Sequence, residues 1–167
     1  MTRRSITKRA AVVTATALVA VGTIGTVAAT AGTEPAKKPS KKQIAHLFDN
    51  WNAALQTGDP KKVANLYAKD AVLLPTVSNK IRTNHAQIVD YFEHFLQNKP
   101  VGKKVTTIVN VLDSNSAIDT GVYKFTLTDP KTGDKRVVEA RYTYEYEKQK
   151  NGQWKIVNHH SSAMPEG

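Results

Sequence analysis

The residues best suited to chemistry lie near the C-terminal end. There an Asn151-Gly152 turn precedes Gln153-Trp154-Lys155-Ile156-Val157-Asn158-His159-His160-Ser161-Ser162. An imidazole titrates near neutral pH, so either histidine could pass a proton. The run alternates as a strand does, and adjacent strand residues leave opposite faces, so the pair can neither enter one pocket nor chelate one metal. Strict alternation puts Trp154, Ile156, Asn158 and His160 on one face and Val157, His159 and Ser161 on the other. Two readings of His159 follow: an acid or base facing a cavity, or a ring held by a neighbouring hydroxyl or tyrosine. The second is preferred, because no acid can be tied to His159 from the sequence.

Asp119 is the other candidate base. It falls mid-strand and shares parity with Gly121, Tyr123 and Phe125, so it would face the same interior. A buried carboxylate there could instead pair with Arg141 for structure. Arg141 alternates with Tyr142 and Tyr144, so one set faces a pocket and the other an interface. Asp70 stands at a helix-to-strand turn, where aspartate is favoured without any chemistry.

Trp51, Tyr67, Tyr91, Phe92, Tyr123 and Phe125 could line an apolar ligand cavity, although aromatic side chains at such spacings are core first. Arg141, Tyr144 and Ser161 join the expected pocket lining. His46, His85 and His94 lack a histidine or glutamate one helical turn away, so no metal site is expected. The chain has no cysteine, which excludes disulfides, thiol nucleophiles and Cys-based metal sites. No phosphate loop and no Ser-centred elbow is present, and no cofactor is expected.

The elements that must position these residues can be read from hydrophobic period. Ile44, Leu47, Phe48, Trp51, Ala54 and Leu55 recur at helical spacing behind a capping residue at or near Ser40. Thr57-Gly58-Asp59-Pro60 ends that helix and starts a second one with Val63, Ala64, Leu66 and Tyr67 facing the core. Ala71–Pro75 has strand character, and 76–84 is polar and reads as a loop. A third helix carries Ile88, Val89, Phe92, Phe95 and Leu96 in phase. The period then becomes two, giving strands over 103–112, 117–128, 135–148 and 153–163, joined by short turns. Short connections imply hairpins. The result is an α+β fold: three N-terminal helices packed on a strongly curved, mostly antiparallel sheet, with a cone-shaped cavity between them.

The 167 residues carry a formal charge of +10, but much of the excess sits at Arg3, Arg4, Lys8, Arg9 and Lys37, Lys38, Lys41, Lys42. No aromatic-basic stripe accompanies it, so nucleic-acid binding is not expected. Residues 1–31 have the three parts of a secretory signal peptide: a basic start, an uncharged stretch over 10–31, and Ala29-Thr30-Ala31 as cleavage site, with Val27-Ala28-Ala29 as second choice. Thr2-Arg3-Arg4-Ser5-Ile6-Thr7-Lys8 resembles a twin-arginine signal. The stretch is poor in Leu and lacks Phe, which favours cleavage over an uncleaved anchor and predicts a secreted or extracytoplasmic protein, exported by the Sec or twin-arginine route, with no stable membrane insertion. Residues 32–40 read as a linker and 41–165 as the folded domain.

Three segments carry a family resemblance: Asn52-Ala53-Ala54-Leu55-Gln56-Thr57-Gly58-Asp59, Leu66-Tyr67-Ala68-Lys69-Asp70-Ala71-Val72-Leu73-Leu74-Pro75, and the C-terminal run from Gly152 to Ser162. Over 43–165 the chain resembles the NTF2-like superfamily, SnoaL-like proteins among them. Within it the chain is most similar to the association domain of calcium/calmodulin-dependent protein kinase II and its bacterial relatives. The resemblance implies a cone-shaped fold that dimerises through the outer face of its sheet, with ring assembly in the kinase, and no kinase activity. It turns His159 and Ser161 into the cone, and Asn158 and His160 toward a partner subunit. The kinase's pocket arginines fall here at Tyr123, at Tyr144 or Glu145, and at Ser161, so their charge is gone.

Two function classes follow. One is an exported, non-catalytic domain that self-associates, as a homodimer or larger, and binds a small, largely apolar ligand. The other is a cofactor-free cyclase, isomerase or hydratase using His159 or Asp119 as acid or base. Convergence of His159, Asp119 and Tyr123 in one open pocket separates them.

Overall fold

The computed structural model describes residues 36–165; the leader expected over 1–31 and its cleavage sites lie outside the described residues. Ser40 starts the fold by closing a capping box: its hydroxyl accepts from the Gln43 amide, and the Gln43 side chain accepts from the Ser40 amide. Two orphan donors of the first turn are thereby satisfied. Helix α1, Lys41–Gln56, buries Ile44, Phe48, Trp51 and Leu55 on one stripe. Gly58 follows at φ 69°, a left-handed conformation that costs glycine little. Asp59 then caps α2, Pro60–Ala64, by accepting from the Lys61 and Lys62 amides.

Strand β1, Tyr67–Leu74, comes next, beginning four residues before the apolar run that announces it in the sequence. Asn84 caps α3, His85–Phe95, which buries Ile88 and Phe92 and leads through a 3-10 turn, Leu96–Asn98, to the remaining strands. These are β2 (Val101–Val111), β3 (Ser116–Thr128), β4 (Lys135–Lys148) and β5 (Trp154–Ala163).

All five strands form one sheet in the order β1-β5-β4-β3-β2. The meander from β2 to β5 is antiparallel, while β1 lies parallel to β5 at the edge. The sheet is thus mixed, because a segment containing α3 separates β1 from the meander it joins.

Two irregularities set the geometry that matters. In β5, Glu145 pairs with Asn158 and Tyr146 with Ile156, leaving Val157 as an extra, bulged residue. The bulge resets the side-chain alternation. Ile156 therefore turns into the core, 2 % exposed, on the same side as His159, whereas strict alternation assigns them opposite faces. In β2, Lys104 pairs with Tyr123 and Thr106 with Val122, leaving Val105 extra. Just past the bulge Gly121 pairs with Thr107, and a Cβ on it would lie 1.9 Å from the Thr106 carbonyl oxygen. Only a residue without a Cβ permits so close an approach of β2 to β3.

The inner face carries cross-strand rows that follow from this register. One runs Val109, Asp119, Tyr144, His159 and Leu73; the next runs Thr107, Gly121, Tyr142 and Ser161. The α1 stripe closes over them, with the Phe48 ring 6.2 Å from both Tyr123 and Tyr142 and 6.3 Å from Tyr144. Among the described residues, no helix is long and apolar enough to cross a membrane.

Candidate functional site

His159 is 3 % exposed and wedged among aromatic rings. Tyr144 stacks on it at 4.1 Å between centroids, and Trp51 meets it edge-on at 5.5 Å. Its Nδ1 lies 2.9 Å from Tyr67 Oη, and that oxygen lies 3.1 Å from Trp51 Nε1. Indole can only donate, so Tyr67 accepts from Trp51; the proton of Tyr67 is then satisfied by giving it to His159 Nδ1, the remaining partner of that hydroxyl among the described residues. Burial, with a smaller contribution from the adjacent His160, pushes the His159 pKa down to about 3. The ring is neutral at physiological pH, and with Nδ1 accepting, the proton belongs to Nε2. Nε2 is buried and has no hydrogen-bond partner among the described residues.

His159 borders a cavity between α1, α3, the segment after β1 and the inner face of the sheet, with about 40 Å³ of room for the centres of water-sized spheres. Its wall is mostly apolar: Trp51, Leu73, Phe92, Phe95, Phe125 and Leu127 are among its residues. A hydroxyl chain supplies much of its polarity. Tyr123 Oη donates to Ser161 Oγ at 2.6 Å, and Ser161 Oγ is hydrogen-bonded to Thr76 Oγ1. Burial holds the Tyr91 and Tyr123 hydroxyls above the ordinary tyrosine range, so they stay protonated and can donate.

Of the residues singled out in the sequence, Trp51, Tyr91, Phe92, Tyr123, Phe125, Ser161 and His159 border this cavity. Tyr67 and Tyr144 do not; they back His159 from behind and pin it. Arg141 stands on the outer face, exposed, beside Thr120, Val122, His160 and Ser162. Its partner in the register is Val122, an outer-face residue, so the parity of β4 carries it away from the pocket. Asn158 and His160 share that outer face, and His160 is exposed.

Asp119 is fully buried but belongs to a different cluster. Tyr142 Oη donates to its Oδ1 at 3.0 Å, and Lys104 Nζ stands 3.8 Å from Oδ2. The cation beside it is thus Lys104, not Arg141. Burial raises the Asp119 pKa, and Lys104 and the Tyr142 hydroxyl only partly oppose that shift. Tyr144 occupies the strand between Asp119 and His159, and neighbouring strands lie about 4.8 Å apart. The two candidate bases are therefore roughly 10 Å apart along the row and do not act on one atom. Asp70 is exposed within the irregular part of β1. His46, His85 and His94 bind Asp49, Asn65 and the Asp90 carbonyl separately.

The cavity also draws on residues that sequence reasoning passed over, chiefly Thr76 and Val77. Their segment reads as a polar loop; nothing in its composition reveals that it folds back so that Arg82 pairs with Leu73 across a two-way backbone bridge.

Comparison with known proteins agrees with this geometry. The profile of the calcium/calmodulin dependent protein kinase II association domain matches residues 40–165. The chain belongs to this family. A crystal structure from Xanthomonas campestris described as such an association domain is 56 % identical, with a TM-score of 0.75, covering 81 % of this chain and 97 % of its own. More distant structures share the fold. An NTF2-like superfamily protein from Salmonella enterica serovar Typhimurium has 18 % identity and a TM-score of 0.66, over 75 % of this chain and 92 % of its own. The association domain of the Caenorhabditis elegans kinase has 13 % identity and a TM-score of 0.60, over 74 % of this chain and 94 % of its own. No curated protein sequence matches the chain. The association domain described here accordingly has an NTF2-like fold, with helices on a mixed sheet.

Proposed function

We propose that this association domain is an exported, non-catalytic module that self-associates through the outer face of its sheet and holds a small, largely apolar ligand in its cavity. The observation that carries the reading is the outer face itself. Val101, Ile108 and Val137 are 49 %, 55 % and 64 % exposed, and pairing register sets them on the same face as Val122, Thr120 and Thr143. Aliphatic side chains exposed together on a sheet face, with polar Arg141, His160 and Asn158 among them, have the composition of a protein interface. Membership of an association-domain family supports the same reading. The signal-like sequence of residues 1–31 supports export.

The non-catalytic part rests on the separation of Asp119 from His159 and on the depressed basicity of His159. The cyclase, isomerase or hydratase alternative needs a strong base facing the cavity with donors at the developing oxyanion. A neutral imidazole that accepts from Tyr67 is a poor base.

Ile108→Asp tests self-association. A charge at Ile108, an exposed aliphatic position on the outer face, desolvates at the interface without a partner, so the mass by light scattering should fall to that of a monomer while the circular dichroism spectrum is kept. A folded variant with the wild-type mass would overturn the outer-face assignment.

A further inference from the structure

After β1 the chain runs along the cavity, contributing Pro75, Thr76 and Val77 to its wall, and returns to pair with its own starting point. Leu73 and Arg82 exchange both backbone hydrogen bonds, at 2.8 and 2.9 Å, and the Thr76 hydroxyl is hydrogen-bonded to Ser161. Beyond Thr76 the loop is held only to itself. Among the described residues, the hydrogen bonds of 77–81 are local: the Lys80 amide donates to Ser78 Oγ at 3.3 Å, and the Lys80 carbonyl accepts from the Arg82 guanidinium at 3.1 Å. Two apolar side chains of this loop, Val77 and Ile81, are 53 % and 51 % exposed. A segment with so few ties to the rest of the fold opens at low cost.

Outside the cavity lies a surface groove, and the two share three side chains: Val77 from the loop, and Tyr91 and Phe95 from α3. The Tyr91 and Phe95 rings stack at 5.6 Å and are fixed by their helix. The rest of the groove is polar, with Ser78, Arg82, Asp90 and His94. Arg82 joins the two sides of this partition. It holds the Lys80 carbonyl on the loop, while its guanidinium lies 3.5 Å from the Asp90 carboxylate and 5.9 Å from the Tyr91 ring centre, both on α3.

We infer that residues 77–81 are a lid on this cavity, that an uncharged apolar molecule enters where Val77 meets Tyr91 and Phe95, and that Arg82 is the latch fastening the loop to α3. The inference rests on the ligand-holding part of the proposed function and names the entrance and the class of molecule admitted. Swinging 77–81 outward breaks the bond between Arg82 and Lys80 but no hydrogen bond of the sheet, because the Leu73–Arg82 pair and the Thr76–Ser161 contact lie outside the moving part. An apolar molecule keeps its contacts as it passes three apolar side chains. An ion would shed its water there, and among the described residues no Lys, Arg, Asp or Glu borders the cavity to receive it.

The chain has no cysteine, so a single introduced thiol reports access without background. Ala140 is 3 % exposed and lines the cavity, whereas Ala117 is fully buried in the core and does not line it. Ala140→Cys and Ala117→Cys, each alone in the full chain, are labelled with N-ethylmaleimide, an uncharged reagent. Adding Arg82→Met should speed labelling at position 140 about five- to tenfold, the effect of one charge-assisted hydrogen bond, and leave position 117 at its slow rate. Arg82→Lys keeps the charge but not the planar fork that spans both partners, so its rate should fall between. Val77→Gly opens the entrance without touching the latch and should also speed labelling at position 140, which keeps the test alive if Arg82→Met fails to fold. An unchanged rate at position 140 in the folded Arg82 and Val77 variants would overturn the lid. Equal acceleration at position 117 would overturn it too, since that marks loosening of the whole domain. Toluene, as an apolar probe, should slow labelling at position 140 in the latched protein. Absence of that protection, with the acceleration intact, would sink the ligand-holding reading and leave the lid standing.

Discussion

Asp119 and His159 face the same interior from one cross-strand row, yet Tyr144 stands between them, its ring flat against His159 at 4.1 Å. The two groups answer to separate surroundings. Asp119 sits with Lys104 and Tyr142 under α1, and His159 sits with Tyr67 and Trp51 beside the cavity. Asp119→Asn should therefore leave His159 untouched. Burial raises the Asp119 pKa, so the folded state holds its proton more readily than the unfolded chain. That contribution is full below the unfolded value and is lost as pH rises through the folded one. Asparagine keeps an acceptor for Tyr142, so its stability at neutral pH should stay within about 1 kcal/mol of wild type, measured by urea denaturation. The nitrogen-15 shifts of His159 should not move.

For His159 the sign is reversed. Its pKa is about 3 in the folded protein against 6.5 ordinarily, so the unfolded state binds a proton that the folded state refuses. Stability is fully present above the unfolded value and falls as pH drops from about 6.5 toward 3, by on the order of 5 kcal/mol across that window. Urea midpoints taken between those limits should decline steadily. In His159→Phe the decline over this window should flatten; a slope equal to wild type would mean that another group titrates.

Tyr67→Phe isolates the hydrogen-bond relay from the packing. The ring remains, but Trp51 loses its acceptor and His159 Nδ1 loses its donor, both in a buried setting. Stranding two polar atoms should cost about 2–4 kcal/mol in urea denaturation, several times the ordinary effect of removing one exposed hydroxyl. The His159 tautomer should also lose its bias, which the nitrogen-15 shifts report directly.

Much of this arrangement can be read from residue types and spacing. The capping box at Ser40, the α1 stripe and the shared parity of Asp119, Tyr123 and Phe125 are local patterns, and each reflects physics that acts within a few residues. What escapes is set by long-range register. A single extra residue at Val157 turns Ile156 inward, and no property of valine announces the bulge. Alternation places Arg141 opposite Tyr142 and Tyr144, but which set is buried depends on how β3 and β4 pair. Thr76 and Val77 reach the cavity only because their segment is tied back by the Leu73–Arg82 bridge.

Gly121 tests the bend that shapes the sheet. An added methyl would fall 1.9 Å from the Thr106 carbonyl oxygen and 3.2 Å from the Tyr142 hydroxyl. The backbone carbonyl cannot rotate away without breaking β2 from β3 at the Val105 bulge. Gly121→Ala should thus cost more than about 3 kcal/mol, and hydrogen exchange should report the loss first in β2. Gly133, in the exposed turn between β3 and β4, has open space around the same position but a φ of 81°. Its alanine variant should pay only for the left-handed backbone, roughly 1 kcal/mol.

The register around the bulge also makes a sharp claim about the outer face. After Val157 the outward positions of β5 are Asn158, His160 and Ser162, aligned across the sheet with Glu145, Thr143 and Arg141. His160→Asp would place a carboxylate on the row that runs through Thr143 and Thr120 to Ile108, and Asn158→Arg would add bulk and charge one row away. Neither side chain reaches the cavity, so the fold and the His159 tautomer should be retained. If copies of the chain meet through this face, His160→Asp buries an unpaired carboxylate at the contact, worth about 3 kcal/mol or more when uncompensated, while Asn158→Arg sets its charge opposite Glu145 and acts mainly through its bulk. Each variant should then dissociate at higher concentration than wild type, and light scattering should show the monomer at concentrations where wild type is associated. An unchanged mass in both variants would place the contact elsewhere on the molecule.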